Sequence, residues 1–155
     1  MEMSPSENLI ALGLVLPPPR KPVANFVPSA QSGSLLFLSG QGPVMADGKS
    51  FTGKVGADVS TEEAYEHAKL CTLNLLALAH DALGSLDSIG RIVKVLGFVN
   101  AAPDFGDHPR VINGCSDLLI AIFGPERGAH ARSAIGAGSL PRQISVEIEM
   151  VVEVR

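Results

Sequence analysis

A chain of 155 residues, 46% of them hydrophobic, is long enough for one domain with a sizeable core. Charged residues reach only 18% and mean hydropathy is +0.27, so part of the apolar surface is expected to be covered by neighbouring subunits, because monomers rarely expose large apolar patches. A formal charge of −4, no run among the 12 basic residues, no Trp and a single Tyr exclude a nucleic-acid surface, which needs clustered cations and stacking rings.

Residues 10–16 are apolar, but Glu2 and Glu7 precede them, no basic residue does, and Pro17, Pro18 and Pro19 follow at once. That pattern is not a signal peptide. No apolar run approaches the ~20 residues that span a bilayer, so no membrane partner is expected. Residues 1–22 read as a short docking helix, placed on the 10–16 run, and a Pro-rich connector. The whole chain, 1–155, reads as a single domain, cytoplasmic in location.

Residues 34–39 read as a strand, entered through Ser32-Gly33 and left at Gly40-Gln41-Gly42-Pro43. Gly40 is either a turn glycine or a point of close backbone approach. The stretch from Asp47-Gly48 to Asp58 reads as a loop or short strand. Ser60 with Glu63 forms a capping box and Gly84 a C-terminal stop. Between them Ala64, Ala68, Cys71, Leu75, Leu78 and Ala82 recur at helical spacing, widened by Leu70, Leu73 and Leu76. Residues 89–100 are apolar without alternation, which predicts a strand covered on both faces. Pro109 opens a second helix with Val111, Cys115, Leu118 and Ile122 inward, and Gly124-Pro125 is expected to stop it. A small, flat strand over 132–138 would put Arg132, Ala134, Gly136 and Gly138 on one side. A final alternating strand would put Ile144, Val146, Ile148, Met150, Val152 and Val154 on one face and Ser145, Glu147, Glu149, Val151 and Glu153 on the other. The predicted class is α+β: a mixed β-sheet with both helices on one face.

Cys71 and Cys115 lack CxxC spacing and read as buried reduced thiols. His67, His80, His108 and His130 form no ligand motif, so no metal is expected, and His130 reads as a turn residue. Arg132 is the residue of interest. A guanidinium matches both oxygens of a substrate carboxylate, and a neighbouring-strand Glu can hold a water. On composition alone, an ion pair of Arg132 with Glu147 or Glu149 accounts for the same residues.

The ordered set Leu38-Ser39-Gly40-Gln41-Gly42-Pro43, Lys94-Val95-Leu96-Gly97-Phe98-Val99, Pro103-Asp104-Phe105, Ala131-Arg132-Ser133, Leu140-Pro141 and Val146-Glu147-Ile148-Glu149 resembles the Rid (reactive intermediate deaminase) or YjgF family. That family has long carried the label "endoribonuclease L-PSP". The resemblance runs from about residue 26 to the C-terminus and is that of a divergent member. It implies a chorismate-mutase-like fold and a homotrimer built on a central barrel, with ligand clefts between subunits. The implied reaction is hydrolysis of enamines and imines, 2-imino acids becoming 2-keto acids and ammonia, with no metal or organic cofactor.

By the same resemblance, Arg132 binds the substrate carboxylate and Glu147 positions the attacking water, helped by the Ala134 carbonyl. Gly40 supplies a backbone contact, and Asn113 enters the pocket from the neighbouring subunit. Phe26 stands where many members carry Tyr, so a ring remains without its hydroxyl. Gly136 replaces a commonly larger residue, which leaves a bulkier imine open as substrate. Two other functions compete: a non-catalytic trimeric module that binds small carboxylates, and a ribonuclease, which the acidic charge and lack of a basic patch disfavour.

Overall fold

The computed structural model describes residues 1–155. Helix α1 spans Pro5–Ala11, where Ser4 and Glu7 make a reciprocal capping box. It therefore lies upstream of most of the apolar run 10–16. The cap fixes where the helix begins, and Gly13, at φ 71, turns the chain out of it. α1 docks through buried Leu9, through the Asn8 amide to the Ile122 carbonyl at 2.8 Å, and through the Ser6 N–H to Asp87 at 2.9 Å.

Five strands follow: β1 (Ser29–Ser32), β2 (Leu35–Gln41), β3 (Ile89–Asn100), β4 (Ala131–Ala137) and β5 (Val146–Val154). They form one sheet in the order β1-β2-β5-β3-β4. Only β3 and β4 run parallel. β1 carries the polar, small sequence Ser-Ala-Gln-Ser, which has no strand signature; it forms because Gly33, at φ 60, folds it back on β2.

Two helices cover one face of this sheet. α2 (Thr61–Leu83) starts on the Ser60–Glu63 capping box and ends at Gly84 in the left-handed region, φ 82. Its buried side is Ala64, Ala68, Cys71, Leu75 and Leu78; Ala82, past the end of the core, is exposed. α3 (His108–Arg127) has Pro109 in its first turn. Gly124, at φ 79 and ψ 170, breaks the helix as the sequence predicts, but one further turn follows through Arg127. The two helices meet at Gly114, where a Cβ would lie 2.1 Å from the Tyr65 carbonyl oxygen. α3 meets the sheet at Gly97, where a Cβ would lie 2.5 Å from Ile112 Cδ1.

The other face of the sheet has no helix over it. Phe37 and Ile135 are 46% and 45% exposed there, with Phe26 and Val27 beside them at 51% and 59%. Within one chain β3 is therefore covered on one face only. Its missing alternation comes from register irregularities between Ile89 and Arg91 and between Ile92 and Lys94. Lys94, Leu96 and Phe98 are only half-buried. In the last strand the alternation holds from Val146 onward. Ile144 and Ser145 precede it and are both buried, Ser145 through a 2.7 Å hydrogen bond with His67. Likewise β4 ends at Ala137, so Gly138 lies beyond the strand and its carbonyl accepts from Lys54 Nζ.

Candidate functional site

Glu147 sits on β5 paired with Phe98, so its side chain leaves the sheet on the uncovered face. On its other flank β2 is irregular between Leu38 and Gln41, and Gly40 occupies that irregularity. A Cβ on Gly40 would stand 3.2 Å from Glu147 Cδ and 3.4 Å from Oε2. The missing side chain is what lets the carboxylate lie against β2. Phe26 lines the same space, and the three share a cavity of about 230 Å³ with Arg20, Lys21 and Arg142. Within the chain Glu147 makes no hydrogen bond and no ion pair. Burial pushes its carboxyl above the ordinary carboxylate range, and the charge of Glu149 adds to the shift.

Arg132 belongs to a second cluster. Its β4 position pairs with Val95, whose side chain is in the core, so Arg132 projects to the helix-covered side. There Nη1 donates to Ser116 Oγ at 3.0 Å and Nη2 to the Pro109 carbonyl at 3.4 Å, both on α3. Ala134 follows two residues on, on the same side. The ladder bond from the Ala101 N–H to the Ala137 carbonyl sets the alternation along β4: odd-numbered carbonyls face β3, and even-numbered ones, Ala134 included, face the unpaired edge. Asn113, one turn beyond Pro109, lines a polar hollow of about 430 Å³ between α2 and α3 with Tyr65, Arg110 and Asp117. At Gly136 an added Cβ would lie 2.7 Å from His108 Nε2, so the side chain of His108 occupies the space that a larger residue there would take.

The six residues singled out from sequence therefore fall into two groups. Phe26, Gly40 and Glu147 share a cavity on one face of the sheet; Arg132, Ala134 and Asn113 lie on β4 and α3. Two strand spacings and three residues of offset separate Arg132 from Glu147, about 14 Å between Cα atoms, and the side chains leave opposite faces. They do not meet within one chain. The same geometry removes the structural ion pair as an explanation, since Arg132 contacts neither Glu147 nor Glu149. Sequence reasoning missed Ser116 and Arg142. Ser116 had a signal in its position three residues after Asn113 on one helical stripe; Arg142 had none.

Elsewhere the chemistry is quiet. Both thiols are free and fully buried, and burial drives Cys115 up to about 12. No three His, Cys, Asp or Glu side chains are placed to hold a metal ion. No helix is long and apolar enough to cross a membrane.

A mixed sheet with two helices on one face, a bare face opposite, an Arg on the edge strand β4 and a Glu on the central strand β5, neither in an ion pair, define a chorismate-mutase-like α+β protein. Residues 6–153 match the family model described as "YjgF/chorismate mutase-like, putative endoribonuclease". The chain belongs to that family. Among solved structures it is similar to Atu1372 of Agrobacterium tumefaciens, of unknown function, at 42% identity and TM-score 0.89, covering 97% of this chain and 92% of that one. A "putative endoribonuclease" of Shewanella oneidensis matches at 34% identity and TM-score 0.94, over 98% and 100% of the two chains. TdcF of Escherichia coli, crystallised with bound serine, matches at 27% and 0.59, over 91% and 95%.

Proposed function

We propose that this protein hydrolyses 2-imino acids to 2-keto acids and ammonia, at a site completed by two copies of the chain. The observation that carries this reading is the pair of incomplete half-sites. Arg132 offers a guanidinium with no acidic partner, and Glu147 offers a half-buried carboxylate with no donor. Each lacks what the other supplies, and one chain cannot join them. Phe37, Ile135, Phe26 and Val27 give the uncovered face the apolar surface that a second and third copy would bury. The serine found in TdcF is a small amino acid with a free carboxylate, the ligand chemistry that Arg132 suits.

The chemistry asks little of the protein. Arg132 holds the substrate carboxylate through two parallel N–H donors. Glu147 accepts a hydrogen bond from water and takes its proton as the oxygen attacks the imine carbon. The edge-facing Ala134 carbonyl accepts the water's second hydrogen. Glu147 passes the proton it has taken to the imine nitrogen, giving a neutral carbinolamine; Glu147 then carries the hydroxyl proton to the amine, the C–N bond breaks, ammonia leaves, and the C=O bond closes. A carboxyl raised by burial is a better base than a solvated one, and such proton transfer is worth about 10²–10⁴ in rate. An enamine substrate first tautomerises to the imine.

The test uses iminopyruvate generated from alanine by an amino-acid oxidase, with ammonia release followed in the presence and absence of the protein. Acceleration by wild type and its loss in Arg132→Ala supports the reading; equal rates for the two would end it. Binding of pyruvate without acceleration of any imine would select the non-catalytic carboxylate-binding module instead. Ribonuclease chemistry is disfavoured by the net charge of −4 and by the lack of any run among the basic residues.

A further inference from the structure

Arg132 is held without being neutralised. Ser116 Oγ, which accepts from Arg132 Nη1 at 3.0 Å, also lies 2.9 Å from His130 Nε2. His130 Nδ1 lies 2.7 Å from the Gly128 carbonyl. A carbonyl can only accept, so Nδ1 carries the ring proton and donates it there. Nε2 of the neutral imidazole is then an acceptor, and it takes the Ser116 hydroxyl hydrogen. In the neutral ring the bonds run one way: Arg132 donates to Ser116, Ser116 to His130, and His130 to the backbone that closes α3. We propose that Ser116 and His130 are positioning residues for Arg132, a neutral relay that fixes the guanidinium for an incoming carboxylate. The inference rests on the reading that Arg132 takes that carboxylate.

The chemistry of the relay explains its composition. A guanidinium on the first strand residues of a sheet edge has several rotamers, and each loses binding energy unless it is held. A carboxylate partner would hold it, but would also compete with the ligand for the charge and for the same forked donors. A hydroxyl and a carbonyl occupy one N–H each on the two terminal nitrogens, so of five donors three remain for the ligand and the full positive charge is kept. Ser116 alone is a rotor whose hydrogen can point anywhere. The imidazole fixes that hydrogen, so that a lone pair of Oγ faces Arg132. Gly128, which is buried at the end of α3, fixes the imidazole in turn. His130 is thus more than the turn residue that its sequence position suggests.

The experiment compares wild type with Ser116→Ala, Ser116→Thr, His130→Ala and His130→Gln by two measurements. Side-chain ¹⁵N spectra of Arg132 in the free protein read the guanidinium's order without any ligand. Steady-state hydrolysis of iminopyruvate separates KM from kcat. The relay predicts resolved Arg132 Nη signals in wild type that broaden or merge in the two alanine variants. It predicts a KM rise of about tenfold in each of them, the loss of one orienting hydrogen bond, with kcat within twofold. Threonine keeps the hydroxyl and glutamine keeps a neutral acceptor near the Nε2 position, so both should restore the spectra and KM. Should Ser116→Ala fail to fold, the His130 pair carries the comparison alone. Unchanged Arg132 spectra and KM in the alanine variants, alongside loss of turnover in Arg132→Ala, would overturn the relay and leave the deaminase reading intact. Altered spectra in a protein that accelerates no imine would support the relay and remove the deaminase reading.

Discussion

Gly40→Ala separates the placement of Glu147 from the stability of the fold. The three atoms nearest the added Cβ all belong to the Glu147 side chain: Cδ at 3.2 Å, Cγ at 3.3 Å and Oε2 at 3.4 Å. Ordinary contact begins near 3.4 Å, so the carboxylate must shift by about 0.2–0.5 Å, and as the free end of a half-buried side chain it can. Because a misplacement of ~1 Å costs on the order of 100-fold in a positioned reaction, a shift of this size should lower kcat about 3–10-fold. Folding stability should change by less than about 1 kcal/mol, since the neighbour that yields is not core. Gly138→Ala is the matched control, because nothing lies within 4 Å of its added Cβ. Ammonia release from iminopyruvate gives kcat, and thermal unfolding gives stability. A Gly40→Ala protein with wild-type kcat would refute the argument that the gap in β2 exists to seat the carboxylate.

Three further outcomes follow from other parts of the fold. Gly114→Ala drives a methyl into the Tyr65 carbonyl at 2.1 Å, which cannot be relieved without parting α2 from α3; a loss of about 3 kcal/mol is expected, read as a melting point lower by roughly 10 °C. His67 is buried, stacked on Phe51 at 4.3 Å and bonded to Ser145, and burial lowers its pKa against the opposing pull of Glu63 and Glu66. The unfolded chain then binds the extra proton first, so this contribution is full above the unfolded imidazole's pKa of about 6.5 and is lost as pH falls through it. Thermal unfolding between pH 7.5 and 5 should show a shallower acid decline in His67→Gln than in wild type. Ser4→Ala removes the cap of α1 and should cost about 1 kcal/mol locally, seen as faster amide exchange in residues 6–11 with the sheet unaffected.

The parts of the fold written in local chemistry were readable from the sequence. The Ser60–Glu63 cap and Gly84 bracket α2 as expected, and the alternation from Val146 to Val154 gives the last strand its two faces. What failed was information held by partners. β1 is a strand only because β2 pairs with it, and β3 hides its alternation behind two register irregularities. The candidate site shows the same division. The residue types at 132 and 147 suit a carboxylate and a water, but which face each side chain leaves depends on pairings with Val95 and Phe98, which no spacing along the chain encodes. Ser116 and His130 met Arg132 for the same reason: fourteen residues apart, they are joined only by the return of the chain from α3 into β4.

Mixing two inactive variants tests the two-copy site most directly. Arg132→Ala chains keep the Glu147 half, and Glu147→Gln chains keep the Arg132 half. After joint unfolding and refolding at equal amounts, random assembly into a closed ring gives about one interface in four with both intact halves. The account predicts recovery of about a quarter of wild-type imine hydrolysis from two proteins that have almost none alone. No recovery, from a mixture shown to contain hybrid oligomers, would contradict it.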